Sequence, residues 1–397
     1  MGAEMREYDY YRQVFSDREL PLAFVDRDAL DGNIEQVRSR AESLPVRIAS
    51  KSLRCRSVME YVLGHDGFRG VMCYHGAEAA HLAAHGFDDL LVAYPVYQPS
   101  ELRTVCGAVD SGSTITLMVD SAAHVERAGE IAAEVGVEVP LCLDVDMSSE
   151  HLGVFFGTRR SDVRTPADAL AVADAIERTD GVRLDGVMGY EGQIAGLPDR
   201  SPANNAAVDA VVRLLKERSK RAIADRRGAV VDALADHGHD LRFVNGGGTG
   251  SLAFTTDDPA VTEVTVGSGF YAPTLFDHYD GFQHTPAAGY AIEVTRRPTG
   301  GVYTCRGGGY VASGPAGPDK TPTVARPRDA QLTDTEGAGE VQTPIEYDGS
   351  LALGDPVVCR HAKAGELCRN FASLAVVADG AVVETAPTYR GDGKCFM

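Results

Sequence analysis

The stretch V-R-I-A-S-K-S-L-R-C, residues 46–55, combines a short apolar run with a lysine directly after it. The chain has only six lysines and takes most of its positive charge from arginine, so this placement is unusual. A short run of apolar and β-branched residues that ends in polar ones is typical of a buried strand. The stretch therefore predicts a strand whose carboxyl end presents Lys51.

Seven similar runs follow along the chain, at 69–73, 90–94, 115–119, 139–143, 184–188, 241–244 and 263–266. Between them lie Ala/Glu/Arg-rich segments with helical periodicity, including 57–63, 77–85, 121–135, 166–178 and 202–237. Eight strands that alternate with helices over about 220 residues are typical of a (β/α)8 barrel, an α/β fold. In such a barrel the active site lies at the carboxyl ends of the strands.

After about residue 286 the helical periodicity ends. Runs at 290–295, 301–305, 356–360, 374–378 and 381–384 are typical of strands, and Gly/Pro-rich turns separate them. We therefore predict two domains, a barrel over 1–286 and a smaller, mostly β domain over 287–397. The apolar run at 22–25 precedes the first barrel strand and could belong to either domain.

Composition excludes several classes of partner. The 397 residues carry a formal net charge of -19, and no basic cluster with interleaved aromatic residues offsets it, which argues against nucleic acid and anionic membrane as partners. No apolar run approaches the roughly 20 residues of a membrane span, and the first residues lack a signal-peptide core. The eight cysteines form no C-x-x-C pair and indicate reduced thiols. We expect a cytoplasmic protein with a small-molecule partner.

Two glycine-rich segments follow the seventh and eighth strands. These are F-V-N-G-G-G-T-G-S at 243–251 and V-G-S-G-F-Y at 266–271. In barrels, the loops at these two positions recurrently bind phosphate through backbone N–H groups. A phosphate site facing Lys51 across one barrel mouth indicates pyridoxal phosphate (PLP), because a lysine can hold the cofactor aldehyde as a Schiff base. Arginine, which stays protonated, could not.

These residues resemble a known group, the fold-type III PLP enzymes with an alanine racemase-like barrel. Within that group they are most similar to the branch of D-threonine aldolases, D-serine dehydratases and bacterial proteins called amino acid deaminase/aldolase. The resemblance covers nearly the whole chain. Its motifs are P-L-A-F-V-D-R-D-A-L-D-G-N-I, S-K-S-L-R, M-G-Y-E-G-Q-I-A-G, N-G-G-G-T-G-S, G-S-G-F-Y-A-P-T-L-F-D-H-Y and H-A-K-A-G-E-L.

The resemblance implies roles for individual residues. Lys51 matches the Schiff-base lysine that also moves the proton at the substrate Cα, and Tyr190 matches an aromatic residue near the cofactor. The racemases place an arginine beside the pyridine nitrogen, and here the corresponding text, D-V-D-M-S-S-E-H-L-G, is two residues longer and offers His151 instead. The implied phosphate contacts are Gly248, Thr249, Gly250 and Ser251 in the first segment and Gly269, Phe270 and Tyr271 in the second.

The aldolase and dehydratase relatives also bind a divalent metal through a carboxyl-terminal histidine and a second ligand two residues later. Here His361 is followed by Lys363, and a protonated lysine is a poor metal ligand. We expect either no metal or a rearranged site in which Glu366 or Cys368 joins His361. Lys363 could instead supply the positive charge that a metal would give to the substrate.

The expected function is that of a PLP-dependent lyase acting on a small 3-hydroxy amino acid of D configuration, by retro-aldol cleavage or by dehydration with deamination. A racemase would need a second base, for which Tyr310, Tyr347 and Tyr389 are available. The barrel is also compatible with a decarboxylase, a non-catalytic PLP-binding protein or a cofactor-free sugar-phosphate aldolase. The resemblance further implies a homodimer, in which the β domain of one subunit closes the barrel mouth of the other.

Overall fold

The computed structural model describes residues 4–151 and 153–396, and its first strand belongs to the carboxyl-terminal sheet. Helix α1 (Tyr8–Val14) precedes β1 (Leu22–Asp26), which pairs with two strands from beyond residue 287. Helix α2 (Arg27–Ala41) follows and leads into the barrel. The run at 22–25, which the sequence left between two domains, thus pairs with the carboxyl-terminal sheet.

Eight parallel strands close into a barrel, and every strand predicted for the barrel is present. In spatial order each strand pairs with its neighbours and the eighth returns to the first. The predicted α/β fold is therefore confirmed. The strands are β2 (Val46–Ala49), β3 (Phe68–Cys73), β4 (Leu90–Val92), β5 (Ile115–Val119), β6 (Val139–Asp144), β9 (Val182–Gly189), β10 (Phe243–Gly246) and β11 (Glu263–Val266).

A small hairpin, β7 (Ser149–His151) and β8 (Val154–Phe156), is inserted after β6. Helices surround the barrel, and all five helices predicted from periodicity are present. Within the described ranges, none of the helices combines the length and apolarity that a membrane span requires. The helices are α3 (Ser50–Leu53), α4 (Arg56–Leu63), α5 (Gly76–Ala83), α6 (Pro99–Asp110), α7 (Ala122–Val135), α8 (Pro166–Glu177), α9 (Gly192–Ala195), α10 (Ala206–Asp236) and α11 (Leu252–Thr256).

The remaining strands join β1 in a nine-stranded sheet with the order β15-β16-β13-β12-β1-β18-β19, while β17 pairs with β12 and β14. The sequence analysis did not predict β14, β15 and β16, because these strands are short and polar or are interrupted by proline. The strands are β12 (Ala288–Thr299), β13 (Val302–Arg306), β14 (Thr323–Arg326), β15 (Gln331–Leu332), β16 (Gln342–Glu346), β17 (Pro356–Arg360), β18 (Ser373–Ala378) and β19 (Ala381–Pro387); helix α12 (Ala364–Asn370) lies between β17 and β18.

The amino-terminal end of the barrel interior is charged. Arg47 is fully buried, and its Nε lies 2.8 Å from Oε1 of Glu263, while its Nη2 lies 3.1 Å from Oδ1 of Asp89. Above this layer, apolar side chains fill the barrel, including Leu91, Met118, Cys142, Met188 and Phe243. The filled interior leaves the carboxyl ends of the strands as the place where a ligand can enter.

Candidate active site

A cavity of about 350 Å³ lies at the carboxyl ends of the barrel strands, which is the end predicted from the strand count. This volume is within the range of small-molecule sites. Most of its walls come from residues that directly follow barrel strands, and α12 closes one side. The polar and charged lining residues are Lys51, Ser52, Arg54, Tyr74, Tyr94, Arg160, Tyr190, Asn245, Thr249, Thr265, Ser268, Ser313, Lys363 and Glu366.

Lys51 faces this cavity from the first turn after β2. Its Nζ donates a hydrogen bond to the hydroxyl of Tyr94, 3.1 Å away. Burial alone would raise the pKa of Tyr94, but the charge and hydrogen bond of Lys51, together with the charge of Arg160, outweigh it and lower that pKa. The Lys51–Tyr94 pair can therefore pass a proton between an amine and a phenol.

Two glycine turns form the opposite wall. The first glycine turn (247–251) lines the cavity through Gly247, Gly248 and Thr249, and the second glycine turn (267–271) lines it through Gly267 and Ser268. Among the described residues, no backbone acceptor or side chain takes the N–H groups of residues 248, 249, 250, 267 or 268. Unpaired N–H groups that converge on a concave wall bind anions.

Because glycine has no side chain, a ligand can approach the backbone of this wall closely. A Cβ at position 248 would lie 2.9 Å from the Cβ of Ala195, and one at position 267 would lie 2.7 Å from Oγ of Ser52. Any larger residue would therefore displace its neighbours. Open N–H groups, a wall without side chains and a lysine in one cavity fit the phosphate and aldehyde ends of PLP.

A buried ionic network holds the first glycine turn in place. Oε2 of Glu191 accepts a hydrogen bond from the N–H of Gly247 at 2.9 Å, and Thr255 donates its hydroxyl to the same carboxylate. Arg227, fully buried on α10, lies 3.3 Å from Glu191 and also pairs with Asp258. The sequence analysis missed this network, because its members lie far apart in the chain and meet only after the barrel closes.

Tyr190 and Arg160 form the floor of the cavity. Tyr190 directly follows β9, and the guanidinium of Arg160 lies 5.1 Å from the centroid of its ring. Asp144, at the end of β6, lines a small recess with both residues. Burial, and then the charge of Asp120, raise the pKa of Asp144 to about 7 despite the opposing charge of Arg160.

The structure corrects the predicted position of His151. This residue does not line the cavity, and its Nε2 lies 3.1 Å from Oγ of Ser219 on α10. The segment after β6, which is two residues longer than in the racemases, folds into the β7–β8 hairpin. This hairpin carries His151 away from the strand ends. Arg160, which follows that hairpin, is the cation that reaches the cavity floor.

The second glycine turn directs its aromatic side chains away from the cavity. The side chains of Phe270 and Tyr271 are fully buried, with the Phe270 ring packed on Phe68 and the Tyr271 hydroxyl donating to the carbonyl of Leu53 at 3.2 Å. Both side chains therefore hold the turn in place through contacts on the side away from the cavity. Three other predicted phosphate contacts, Gly250, Ser251 and Gly269, lie in the two turns without lining the cavity, although Gly269 N–H donates to Thr249 Oγ1 at 3.0 Å.

Lys363 lines the cavity, but His361 does not. Nζ of Lys363 donates to the carbonyl of Ser313 at 2.6 Å, and the N–H of Ser313 donates to Glu366 at 2.9 Å. Burial, helped by the charge of Lys51, lowers the pKa of Lys363 although Glu366 opposes the shift. The carboxyl-terminal region of the same chain thus places an ammonium group beside Lys51.

The donor set does not fit a divalent metal. His361 is fully buried, and neither of its ring nitrogens has a hydrogen-bond partner in the described part of the chain. Glu366 is engaged with Ser313, and Cys368 is buried against Tyr271. Within residues 4–151 and 153–396, no three His, Cys, Asp or Glu side chains are arranged to hold an ion.

Known proteins share this fold. A 3-hydroxy-D-aspartate aldolase of Paracoccus denitrificans is 27% identical over 257 residues, which are 64% of this chain and 60% of that protein. The D-threonine aldolase from Filomicrobium marinum superposes with a TM-score of 0.79 at 18% identity, covering 98% of this chain and 99% of that one. A D-threo-3-hydroxyaspartate dehydratase from Delftia sp. HT23 gives 0.70 at 20% identity, covering 94% and 98%.

The chain spans about three fifths of the length of the curated relatives it matches. The family model for the alanine racemase N-terminal domain matches residues 25–273, which are well over half of the chain and include the whole barrel. The relationship expected from the motifs is confirmed, and the chain belongs to the family with an alanine racemase N-terminal domain.

Proposed function

We propose that the protein is a PLP-dependent lyase that acts on small D-3-hydroxy amino acids and chiefly cleaves their Cα–Cβ bond. The observation that carries this proposal is that Lys51 and residues 248, 249, 267 and 268, whose N–H groups are open, line one cavity. Lys51 would hold the cofactor, and the turns would hold its phosphate. The aldolase names of the sequence relatives support cleavage over dehydration.

When bound, PLP would withdraw electrons from the substrate Cα and so make its bonds labile. Retro-aldol cleavage then breaks the Cα–Cβ bond, removes the 3-hydroxyl proton and adds a proton at Cα, giving an aldehyde and glycine from a simple substrate. We assign removal of the 3-hydroxyl proton to Tyr94, whose pKa is lowered by Lys51 and Arg160. Lys51 would return the proton to Cα.

The charges around the cavity support an acidic substrate. Its charged lining residues in the described chain are four cations, Lys51, Arg54, Arg160 and Lys363, and one anion, Glu366. Even after Lys51 is taken up by the cofactor and the phosphate adds negative charge at the glycine turns, Arg54 and Lys363 remain near the mouth. We propose that they bind a second carboxylate, as in 3-hydroxyaspartate, and that Lys363 takes the place of a metal.

The test is an assay of purified, PLP-loaded protein with D- and L-3-hydroxyaspartate, threonine and serine, with product identification. We expect glycine and the matching aldehyde, glyoxylate from 3-hydroxyaspartate, from D substrates alone. Formation of a keto acid and ammonia would show that the enzyme dehydrates its substrate instead of cleaving it. Inversion of the stereochemistry at Cα would show that the enzyme is a racemase. Lys51→Ala is the control, since it should lose both the visible absorbance of bound cofactor and turnover.

A further inference from the structure

Arg40 lies behind the first glycine turn and does not line the cavity. It is on α2, and its Nη2 donates to the carbonyl of Thr249 at 2.9 Å. Its Nη1 lies 3.2 Å from Nε2 of His284, and its guanidinium stacks 4.1 Å from the ring centroid of Phe282. An arginine from outside the barrel is thus bonded directly to the backbone of the proposed phosphate site.

This guanidinium has no counter-charge in the described part of the chain. No carboxylate contributes to its ionisation, and burial lowers the pKa of Arg40 to about 10. Burial, and the charge of Arg40, also lower the pKa of His284 to about 3, so the imidazole is neutral and can accept the hydrogen bond. Arg40 is half-buried, and charges withdrawn from water are normally paired, which raises the question of which anion pairs with Arg40.

The hydrogen bond to Thr249 also orients the glycine turn. The Thr249–Gly250 peptide is trans, so the N–H of Gly250 points opposite to the carbonyl that Arg40 binds. That N–H has no acceptor among the described residues, and it directly follows Thr249, which lines the cavity. A cation on the carbonyl polarises the whole peptide and strengthens its N–H as a donor.

We propose that Arg40 is a positioning residue for the cofactor phosphate, which it stabilises through the Thr249–Gly250 peptide without touching it. The proposal rests on PLP as the cofactor of the proposed function. It predicts that Arg40 distinguishes PLP from pyridoxal, the same molecule without its phosphate, and that the anion supplies the missing counter-charge.

The experiment compares the dissociation constants of PLP and pyridoxal for wild type and Arg40→Gln by absorbance titration of the apoprotein. We expect PLP affinity to fall about ten- to a hundredfold, as for loss of a hydrogen bond to a charged group, while pyridoxal affinity stays within about twofold. The melting temperature of the apoprotein should change little, because removal of a half-buried charge without a counter-charge offsets the lost hydrogen bond to Thr249. The rise in melting temperature on addition of PLP should be smaller for Arg40→Gln than for wild type.

The matched control is Arg38→Gln, the same change on the exposed face of α2, where Arg38 pairs with Glu35 at 3.1 Å; it should alter neither affinity. Arg40→Lys, which keeps the charge, should give an intermediate loss and provides the measurement if Arg40→Gln does not fold. Equal weakening of PLP and pyridoxal, or unchanged PLP affinity, would overturn the proposal. A wild-type protein that binds PLP without cleaving 3-hydroxy amino acids would overturn the lyase function and leave this inference standing.

Discussion

Nζ of Lys51 and the hydroxyl of Tyr94 lie 3.1 Å apart at the ends of β2 and β4, two strands that have β3 between them. The ammonium lowers the pKa of the phenol, and the phenol accepts a hydrogen bond from the ammonium. The closed barrel creates this pair, which is the centre of the proposed proton transfers.

Tyr94→Phe removes the hydroxyl while keeping the ring. We expect the turnover number to fall by about 10²- to 10⁴-fold, the usual effect of losing a general acid or base, while the visible absorbance of bound PLP remains. Steady-state kinetics and an absorbance spectrum check both. Full activity would contradict the assignment, and loss of the absorbance would show that Tyr94 is needed for cofactor binding instead.

Lys363→Met removes the ammonium group that the proposed function places beside a second carboxylate. We expect kcat/KM for D-3-hydroxyaspartate to fall by at least about tenfold, with a smaller effect on D-threonine, which has no second carboxylate. Competition kinetics with both substrates measure the ratio. An equal loss for both would indicate a role other than carboxylate recognition.

Dialysis against a chelator should leave the activity of wild type unchanged, since the donor set around His361 does not fit a divalent metal. The measurement is the initial rate with D-3-hydroxyaspartate before and after dialysis, with Mn²⁺ added back in a third sample. A loss of rate that Mn²⁺ restores would show that the donors rearrange around an ion.

Glu191→Ala removes the acceptor for Gly247 N–H and one partner of the buried Arg227. We expect about tenfold weaker PLP binding, from loss of one hydrogen bond at the glycine turn, together with reduced stability. Glu191→Gln keeps an acceptor for the N–H and should bind PLP more tightly than the alanine variant. Equal PLP affinity in wild type and both variants would show that the glycine turn holds its shape without Glu191.

Arg47→Met tests the charged layer at the other end of the barrel. We expect a loss of about 3–5 kcal/mol in the free energy of unfolding, because Glu263 is left buried without its main partner. Arg69→Gln is the control: Arg69 lies 3.7 Å from the same carboxylate but is half exposed, so its loss should cost less than about 1 kcal/mol. Urea unfolding measures both, and similar losses would argue against the buried pair.

Glu78 should make stability depend on pH. Burial raises the pKa of this carboxyl to about 7 although Tyr74 N–H and the Tyr389 hydroxyl donate to it. Because the folded form holds the proton more tightly than the unfolded form, its contribution is present below about pH 4.5 and is lost as pH rises to about 7.

The loss amounts to about 3 kcal/mol across that window. Glu78→Gln, which is uncharged throughout, should therefore be at least as stable as wild type at pH 8 and should lose this advantage at pH 5. Urea unfolding at both values measures the difference. A wild type whose stability rises relative to Glu78→Gln between pH 5 and pH 8 would contradict this sign.

The sequence by itself determined the barrel, the position of Lys51 at the end of its first strand and the two glycine turns. These features are local, since a short apolar run, a helical period and consecutive glycines each restrict the backbone where they occur. The order of the eight strands then follows from right-handed parallel connections. Lys51 and both glycine turns consequently had to meet at one end.

Only the tertiary structure decided which other side chains reach that end. Arg160 and Arg40 have no local signature, and the hairpin after β6 carries His151 away while bringing Arg160 in. Likewise the sequence left the sheet of β1 open, because its partner strands lie more than 260 residues later in the chain. Such contacts depend on how the barrel closes and on which helix packs behind each turn, and a periodic pattern of residues carries no information about either.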